Sequence, residues 1–228
     1  MGIDVPGLKH LQYCKKYGSF GKTLTVARQE IHVSPQKISE ILNKNSSYSG
    51  YCENLLIEHF ESTSVDSLDN SNYENCTFIF DLNEEINDES VIGKYDTIID
   101  LGTLEHIYHI NNALYNISNM CKVGGQIIHV LPASNFCGHG FWQFSPEIFF
   151  SLYNENNGYS ETEVFILDTI NINGIEKLNP PVNGKRILVK NFNPSYVAVR
   201  TVLKRKDFNH DQVQQSDYVY LWDKEGNK

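Results

Sequence analysis

Nowhere does an apolar run approach the ~20 residues that cross a bilayer, so no membrane span is expected. The opening residues MGIDVPGLKHL lack the apolar core of a secretory signal. Cysteine is sparse: five residues, at 14, 52, 76, 121 and 137, with no Cys-x-x-Cys spacing. An odd, unpaired set argues against a disulfide scaffold and for reduced thiols in a cytoplasmic chain. Positive charge is also short. Lys and Arg number 19 against 28 Asp and Glu, a formal net charge of −9. That balance argues against a nucleic-acid surface, because phosphate binding relies on Lys and Arg. The brief basic runs Lys185-Arg186 and Lys204-Arg205-Lys206 read as solvated strand ends.

What remains is enough for a core. At 228 residues, 40% hydrophobic and 12% aromatic, the chain suits one domain over residues 1–228. The stretch at about 171–194, with Pro180-Pro181, reads as an insertion or arm. Oligomeric state is not legible.

The elements alternate. A helix is predicted over 6–17, then a strand at Thr23–Val26 and a helix capped by Ser34-Pro35. A helical stripe runs from Tyr51 to Phe60. Strands follow at Thr63–Leu68, which ends in Asp69, at Cys76–Phe80, which ends in Asp81, and at Tyr95–Ile99. Ala113, Leu114, Ile117, Met120 and Cys121 share one helix face, with Gly124 as the expected stop. Gln126–Leu131 is a further strand, Pro146 to about Tyr153 a helix, and Thr162–Thr169 and Tyr196–Lys204 late strands. Alternation through residue 153 predicts parallel strands with crossover helices on both faces. The last two strands, with no helix between them, should pair as an antiparallel edge. The expected fold is α/β, a Rossmann-like, doubly wound, mostly parallel seven-stranded sheet with an antiparallel edge strand.

In such a sheet ligands lie beyond the carboxyl ends of the strands. Those ends carry Arg28-Gln29-Glu30, Asp69, Asp81, the run Gly102-Thr103-Leu104-Glu105-His106, and SNFCGHGFWQFSPE at 134–147. The last is the least ordinary. His139 stands between Gly138 and Gly140, and Phe141, Trp142 and Phe144 follow. His106 and His109, at i and i+3, could bind a metal from one helix face, but no Cys-rich or carboxylate-rich set completes a site, so no metal is expected. Gly18-Ser-Phe-Gly-Lys-Thr23 is too short between its glycines for a phosphate loop and precedes a strand.

YDTIIDLGTLEHI, an amphipathic helix ending in Lys-Val-Gly-Gly, and QIIHVLP together resemble the middle of class I S-adenosylmethionine-dependent methyltransferases over Tyr95–Pro132. With TLTVARQEIHV, FDLN and GHGFWQFSPE, the chain is similar to a bacterial branch common near surface-polysaccharide and other glycan gene clusters. The resemblance implies a transferase with S-adenosyl-L-methionine as cofactor. It also implies a small-molecule or glycan-precursor acceptor, a sugar hydroxyl or a capsular phosphate- or phosphoramidate-type group, with nitrogen and carbon acceptors left open. One departure stands out. Ala27-Arg28-Gln29-Glu30 occupies the place of the usual glycine-rich turn. Arg28 and Gln29 are therefore candidates for holding the methionine end, the guanidinium gripping its carboxylate, unless Arg28 serves a structural ion pair. By position, Asp69 (or Asp66) would meet the ribose hydroxyls. Asp81 and the Leu82 backbone would meet the adenine, and Gly102, Thr103 and Leu104 would line the cofactor. Glu105 and His106 line the far side or cap the helix start.

Methyl transfer is an in-line displacement that needs an aligned nucleophile and a dry site. Histidine suits the removal of a hydroxyl proton near neutral pH. His139 is thus the catalytic candidate, with His106, Phe141, Trp142 and Gln143 on the acceptor side and Phe144 helping to wall off water. A partner subunit that binds the cofactor without catalysis is the main rival. A nicotinamide enzyme is disfavoured by the absence of a Gly-x-Gly-x-x-Gly turn.

Overall fold

The computed structural model describes residues 2–190, 193–211 and 213–226. The chain enters through a two-residue strand, β1 (Gly2–Ile3), and turns into α1 (Val5–Cys14) at Asp4, whose carboxylate accepts from the Gly7 N–H at 2.9 Å. Then come β2 (Gly21–Val26) and the short β3 (Glu30–Ile31), which pairs in parallel with β1. This small sheet folds the N-terminal segment back over the end of β2.

Helix α2 (Pro35–Leu42) starts where Ser34-Pro35 predicts, the Ser34 hydroxyl accepting from Lys37 N–H, and ends at Asn43 in a left-handed conformation. The Tyr51–Phe60 stripe forms a shorter helix, α3 (Glu53–Glu58). Strand β4 (Ser62–Asp69) ends at Asp69 as expected, while the next predicted strand shrinks to β5 (Phe78–Ile79). Strand β6 (Tyr95–Leu101) follows, then α4 (Ile110–Met120), and the chain passes without a linker into β7 (Cys121–Ser134). Gly124 is therefore not the stop of α4. The helix ends four residues earlier, where Cys121 turns extended, and Gly124 lies within the strand. Its neighbour Gly125 is demanded by packing, since a Cβ there would sit 2.8 Å from Cys121 Sγ.

After α5 (Pro146–Leu152), capped by Ser145, come β8 (Tyr159–Asp168), β9 (Ile175–Leu178), β10 (Ser195–Leu203) and α6 (Ser216–Glu225). The main sheet has eight strands in the order β5-β4-β2-β6-β7-β10-β8-β9. The first five are mutually parallel. β10 runs antiparallel to both β7 and β8, so the expected pairing of the two late strands holds. It is β9, inside the 171–194 segment, that takes the edge, antiparallel to β8. Residues 191–192 of that segment lie outside the described residues. The fold is thus α/β and doubly wound, with a mostly parallel sheet. The alternation is looser than predicted: no helix lies between β4 and β5 or between β5 and β6.

Strand residues alternate between two cores. Ile98 and Ile127 pack on the side of α4 and α5, while Ile99, Leu101, Ile128 and Val130 pack on the side of α1, α2 and α3. Both faces of the central strands are covered, which explains their nearly continuous apolar runs. From β2 the chain winds outward to β4 and β5, then returns across β2 to β6. The carboxyl ends of β2 and β6 are accordingly the topological switch point where this architecture binds ligands.

Candidate functional site at the carboxyl rim

The two loops of the switch point are tied together. After β2 the backbone turns at Ala27 with φ of 58°, a strained value for a residue with a Cβ. After β6 it turns at Gly102 with φ of 87°. The Thr103 hydroxyl donates to the Val26 carbonyl at 2.9 Å, and the Thr103 N–H donates to Asp100 Oδ1 at 3.0 Å. Asp100 is fully buried, and its Oδ2 lies 3.0 Å from His129 Nδ1. His129 Nε2 in turn meets the Tyr153 hydroxyl at 2.8 Å. This buried chain joins β6, β7 and α5 and fixes the Gly102 turn from below. Sequence reasoning passed over it, since Asp100 read as the first residue of a turn after the strand and His129 as one polar residue within an apolar strand.

On the β2 side the predicted groups are mostly engaged with their own protein. The Arg28 guanidinium donates to Glu53 Oε1 at 2.6 Å and to the Glu74 carbonyl at 2.8 Å, and it stacks 3.9 Å from the Tyr51 ring centroid. This is the structural ion pair that the sequence left open. Gln29 is buried; its amide donates to the Val26 carbonyl at 2.6 Å, filling the turn where a glycine-rich loop would leave space, while its Oε1 has no partner among the described residues. Asp69 ends β4 half-buried, with Oδ1 accepting from Ser71 N–H at 3.3 Å. Exposed Asp81 uses Oδ1 for both the backbone and the side chain of Asn83. Each carboxylate thus has one oxygen committed to a turn. Leu82 is buried in the core behind Asp81.

On the β6–β7 side the chain after Gly102 makes one turn of 3-10 helix, Leu104–His106. Leu104 is fully buried and points into the core. Glu105 is buried at 1% exposure beside Gly102 and beneath the loop after β7. Burial, then the nearby charge of Asp100, pushes its carboxyl up to about 8. The Glu105 carbonyl accepts from Phe141 N–H at 2.6 Å and from Trp142 N–H at 3.2 Å, pinning the loop. This contact explains Gly140: a Cβ there would lie 2.6 Å from the Glu105 oxygen. With the loop so placed, His139 Nε2 comes 3.4 Å from Glu105 Oε1 and His106 Nε2 comes within 3.8 Å of it. The rings of His106 and His139 meet edge to face, their centroids 5.0 Å apart. His109, the other histidine of the i, i+3 pair, is exposed and is not part of this cluster.

A cavity of about 240 Å³ opens between these groups and the N-terminal segment, lined by Asp4, His32, Gly102, Glu105, His139 and Tyr196. The acceptor-side residues do not all converge on it. Trp142 donates its indole N–H to the Ile107 carbonyl at 2.8 Å, and Phe141, 65% exposed, packs edge-on against Tyr108. Gln143 accepts from Phe136 N–H and lines a second cavity of about 420 Å³ with Ser134, Glu147 and Arg186. Phe144 is no part of a lid; it is buried in the core against Phe149. Asp4, His32 and Tyr196, absent from the sequence reading, reach the site only through the β1–β3 pairing and the start of β10.

No protein-family profile and no curated protein matches the chain. Solved structures similar to it include a S-adenosylmethionine-dependent methyltransferase of Thermotoga maritima, at 14% identity over 86% of this chain and 89% of that one, TM-score 0.45. The N-methyltransferase NodS of Bradyrhizobium japonicum is 10% identical over 87% and 94%, TM-score 0.45. The YcgJ protein of Bacillus subtilis is 8% identical over 86% and 98%, TM-score 0.47. With identities and scores this low, the fold rests on the chain's own strand order.

Proposed function

We propose that the chain transfers a methyl group from S-adenosylmethionine to an oxygen of a small acceptor. The acceptor is a sugar hydroxyl or a phosphate- or phosphoramidate-type group of a bacterial capsular or other surface-glycan precursor. The observation that carries the reading is the switch point. The loops after β2 and β6 are locked by Thr103 and Val26. Asp69 and Asp81 stand at the ends of the next two strands, and Glu105 and His139 on the far side. Acids at the ends of the second and third strands suit hydroxyl and amine donors of a nucleoside. Each keeps one carboxylate oxygen clear of its own turn.

The fit is uneven along the cofactor. Its nucleoside end finds matching groups. Its methionine end meets Arg28 already paired with Glu53, and that pair must open if the guanidinium is to hold a carboxylate. When bound, the cofactor supplies a methyl group on a sulfonium centre. The protein's part is to align the acceptor oxygen, keep water out and take up the displaced proton. Gly102 lets the backbone approach closely, and His139, backed by Glu105, faces the acceptor oxygen.

The paired Arg28 also supports a second reading, a subunit that binds the cofactor without catalysis. Thermal shift with S-adenosylmethionine, S-adenosylhomocysteine and NAD separates these ideas, because a ligand that binds only the native state raises the melting temperature. Stabilisation by the first two, and methylation within a panel of sugar and phosphate acceptors, is the expected result. Stabilisation without transfer favours the second reading. Stabilisation by NAD alone overturns both.

A further inference from the structure

Glu105 is the ionisable group of the rim with a buried oxygen left unpartnered among the described residues. Its side chain is 1% exposed, and Oε2 has no hydrogen-bond partner among the described residues. Leaving a carboxylate oxygen buried and unpaired costs about 1–3 kcal/mol or more, so a fold that does so invites a ligand. Two imidazoles from different parts of the chain converge on the other oxygen of this carboxylate, Oε1, while Oε2 stays open to an added ligand. His106 comes from the 3-10 turn and His139 from the loop pinned at Gly140. One ligand atom from each of Glu105, His106 and His139 lies within 4.8 Å of the others. The closest approaches, 3.4 and 3.8 Å, are long for hydrogen bonds. They are near the separation, roughly 3–3.6 Å, of donors that each stand about 2.0–2.2 Å from one metal ion.

We propose that Glu105, His106 and His139 bind a divalent first-row transition-metal ion, with open coordination positions facing the cavity beside Gly102. The donor set selects the class. Two imidazoles and one carboxylate suit zinc, manganese, iron or cobalt, whereas magnesium and calcium prefer oxygen ligands throughout. Three protein donors leave room for outside ligands, as in catalytic rather than structural sites. The buried carboxylate supplies a fixed anchor. The two histidine side chains, 41% and 53% exposed, are free to turn toward a shared ion and shorten separations that now reach up to 4.8 Å. Asp100, whose charge acts on Glu105, is already occupied by Thr103 and His129 and does not join.

The ion also gives the rim a use for His139 other than as a proton acceptor. A metal-bound hydroxyl loses its proton more readily, and the same ion orients it. That use rests on the methyltransferase reading; the binding of the ion does not.

The test is calorimetric titration of the chelator-treated full chain with zinc, manganese and magnesium in turn, without cofactor or acceptor, and cobalt substitution followed by visible absorption. One equivalent of zinc or manganese should bind, magnesium far more weakly, and cobalt should show d–d bands. The double variant His106→Ala/His139→Ala should lose affinity by about a hundredfold or more and lose the cobalt spectrum. Both rings are partly exposed, so its fold should persist, which circular dichroism checks. Glu105→Gln provides a second, isosteric variant with the same expected loss. No stoichiometric binding by the wild type, or equal affinity in the double variant, overturns the site. Metal binding without any thermal shift from S-adenosylmethionine would leave the site standing and remove the proposed function instead.

Discussion

Arg28 and Glu105 flank the same switch point, and their surroundings differ in kind. Arg28 is half-exposed yet satisfied by a carboxylate, a carbonyl and an aromatic face. Glu105 is buried yet has one oxygen without a partner among the described residues. The first arrangement holds a loop in place, with α3 and the segment before β5 anchored to the end of β2. The second stores an unmet demand beside a cavity. Buried polar groups in native proteins are nearly always paired, and the exceptions point to strain or to a ligand. By that measure the unmet demand of an ionisable group lies on the β6–β7 side, and on the β2 side it is the neutral Gln29 Oε1 that lacks a partner among the described residues.

The largest effect should come from the support common to both sides. Asp100→Ala removes the acceptor for Thr103 N–H and for His129, leaving two buried polar groups unpaired. A loss of about 2–5 kcal/mol in urea unfolding is expected. A loss below about 1 kcal/mol would show that the two sides are held independently.

Next is the pH dependence that Glu105 imposes. Its folded value of about 8 lies above the ordinary 4.5. The folded state therefore binds this proton more tightly than the unfolded state does. Stability is fullest below about 4.5, falls as pH rises toward 8 and then levels off. In chelator, the wild-type melting temperature should drop across that window, and Glu105→Gln should flatten the drop. Equal slopes in both proteins would mean that Glu105 is less isolated than its burial implies. The groups facing it are Asp100 below, His106 and His139 above and Tyr196 across the cavity; His106, its own value lowered by desolvation and by His139, opposes the effect little in the upper window, and Tyr196, raised by burial, stays neutral through it.

Asp69→Ala probes the β2 side as a binding surface. Calorimetry should show S-adenosylmethionine bound more weakly by about 1–3 kcal/mol, the scale of a lost charged hydrogen-bond partner. Unchanged affinity would confine Asp69 to its turn with Ser71. The smallest effect is expected from Arg28→Ala: about 1 kcal/mol of stability, since a partly exposed ion pair contributes little. Little change in cofactor affinity is expected, because the guanidinium is engaged elsewhere. A large loss of affinity with stability intact would reverse the comparison and make Arg28 the cofactor's grip.

Several elements were readable from local pattern alone. Ser34-Pro35 marked the start of α2 because a hydroxyl cap and a proline act within one turn. YDTII and QIIHVL marked β6 and β7 because strands buried on both faces carry apolar residues on both. The rim residues after β2, β4, β5 and β6 followed from that order, since a strand's carboxyl end is known once the strand is. Other features had no local signal. β1 and β3 are two residues each and exist only by pairing with one another. Gly124 looked like a helix stop, yet α4 ended where β7 began to pair with β6.

The sequence by itself determined the succession of the central strands and most of their helices, hence the doubly wound sheet, and it placed an unusual histidine beyond β7. Periodicity and capping are short-range, so they survive in a linear reading. Tertiary structure decided who meets whom. Arg28 went to Glu53, Phe144 to the core, and Glu105 to the floor of a cavity where His106 and His139 converge. Those outcomes depend on loop closure, on the fit of Gly140 against the Glu105 carbonyl, and on the burial of a charge. Each is a property of distances in space, which spacing along the chain does not encode.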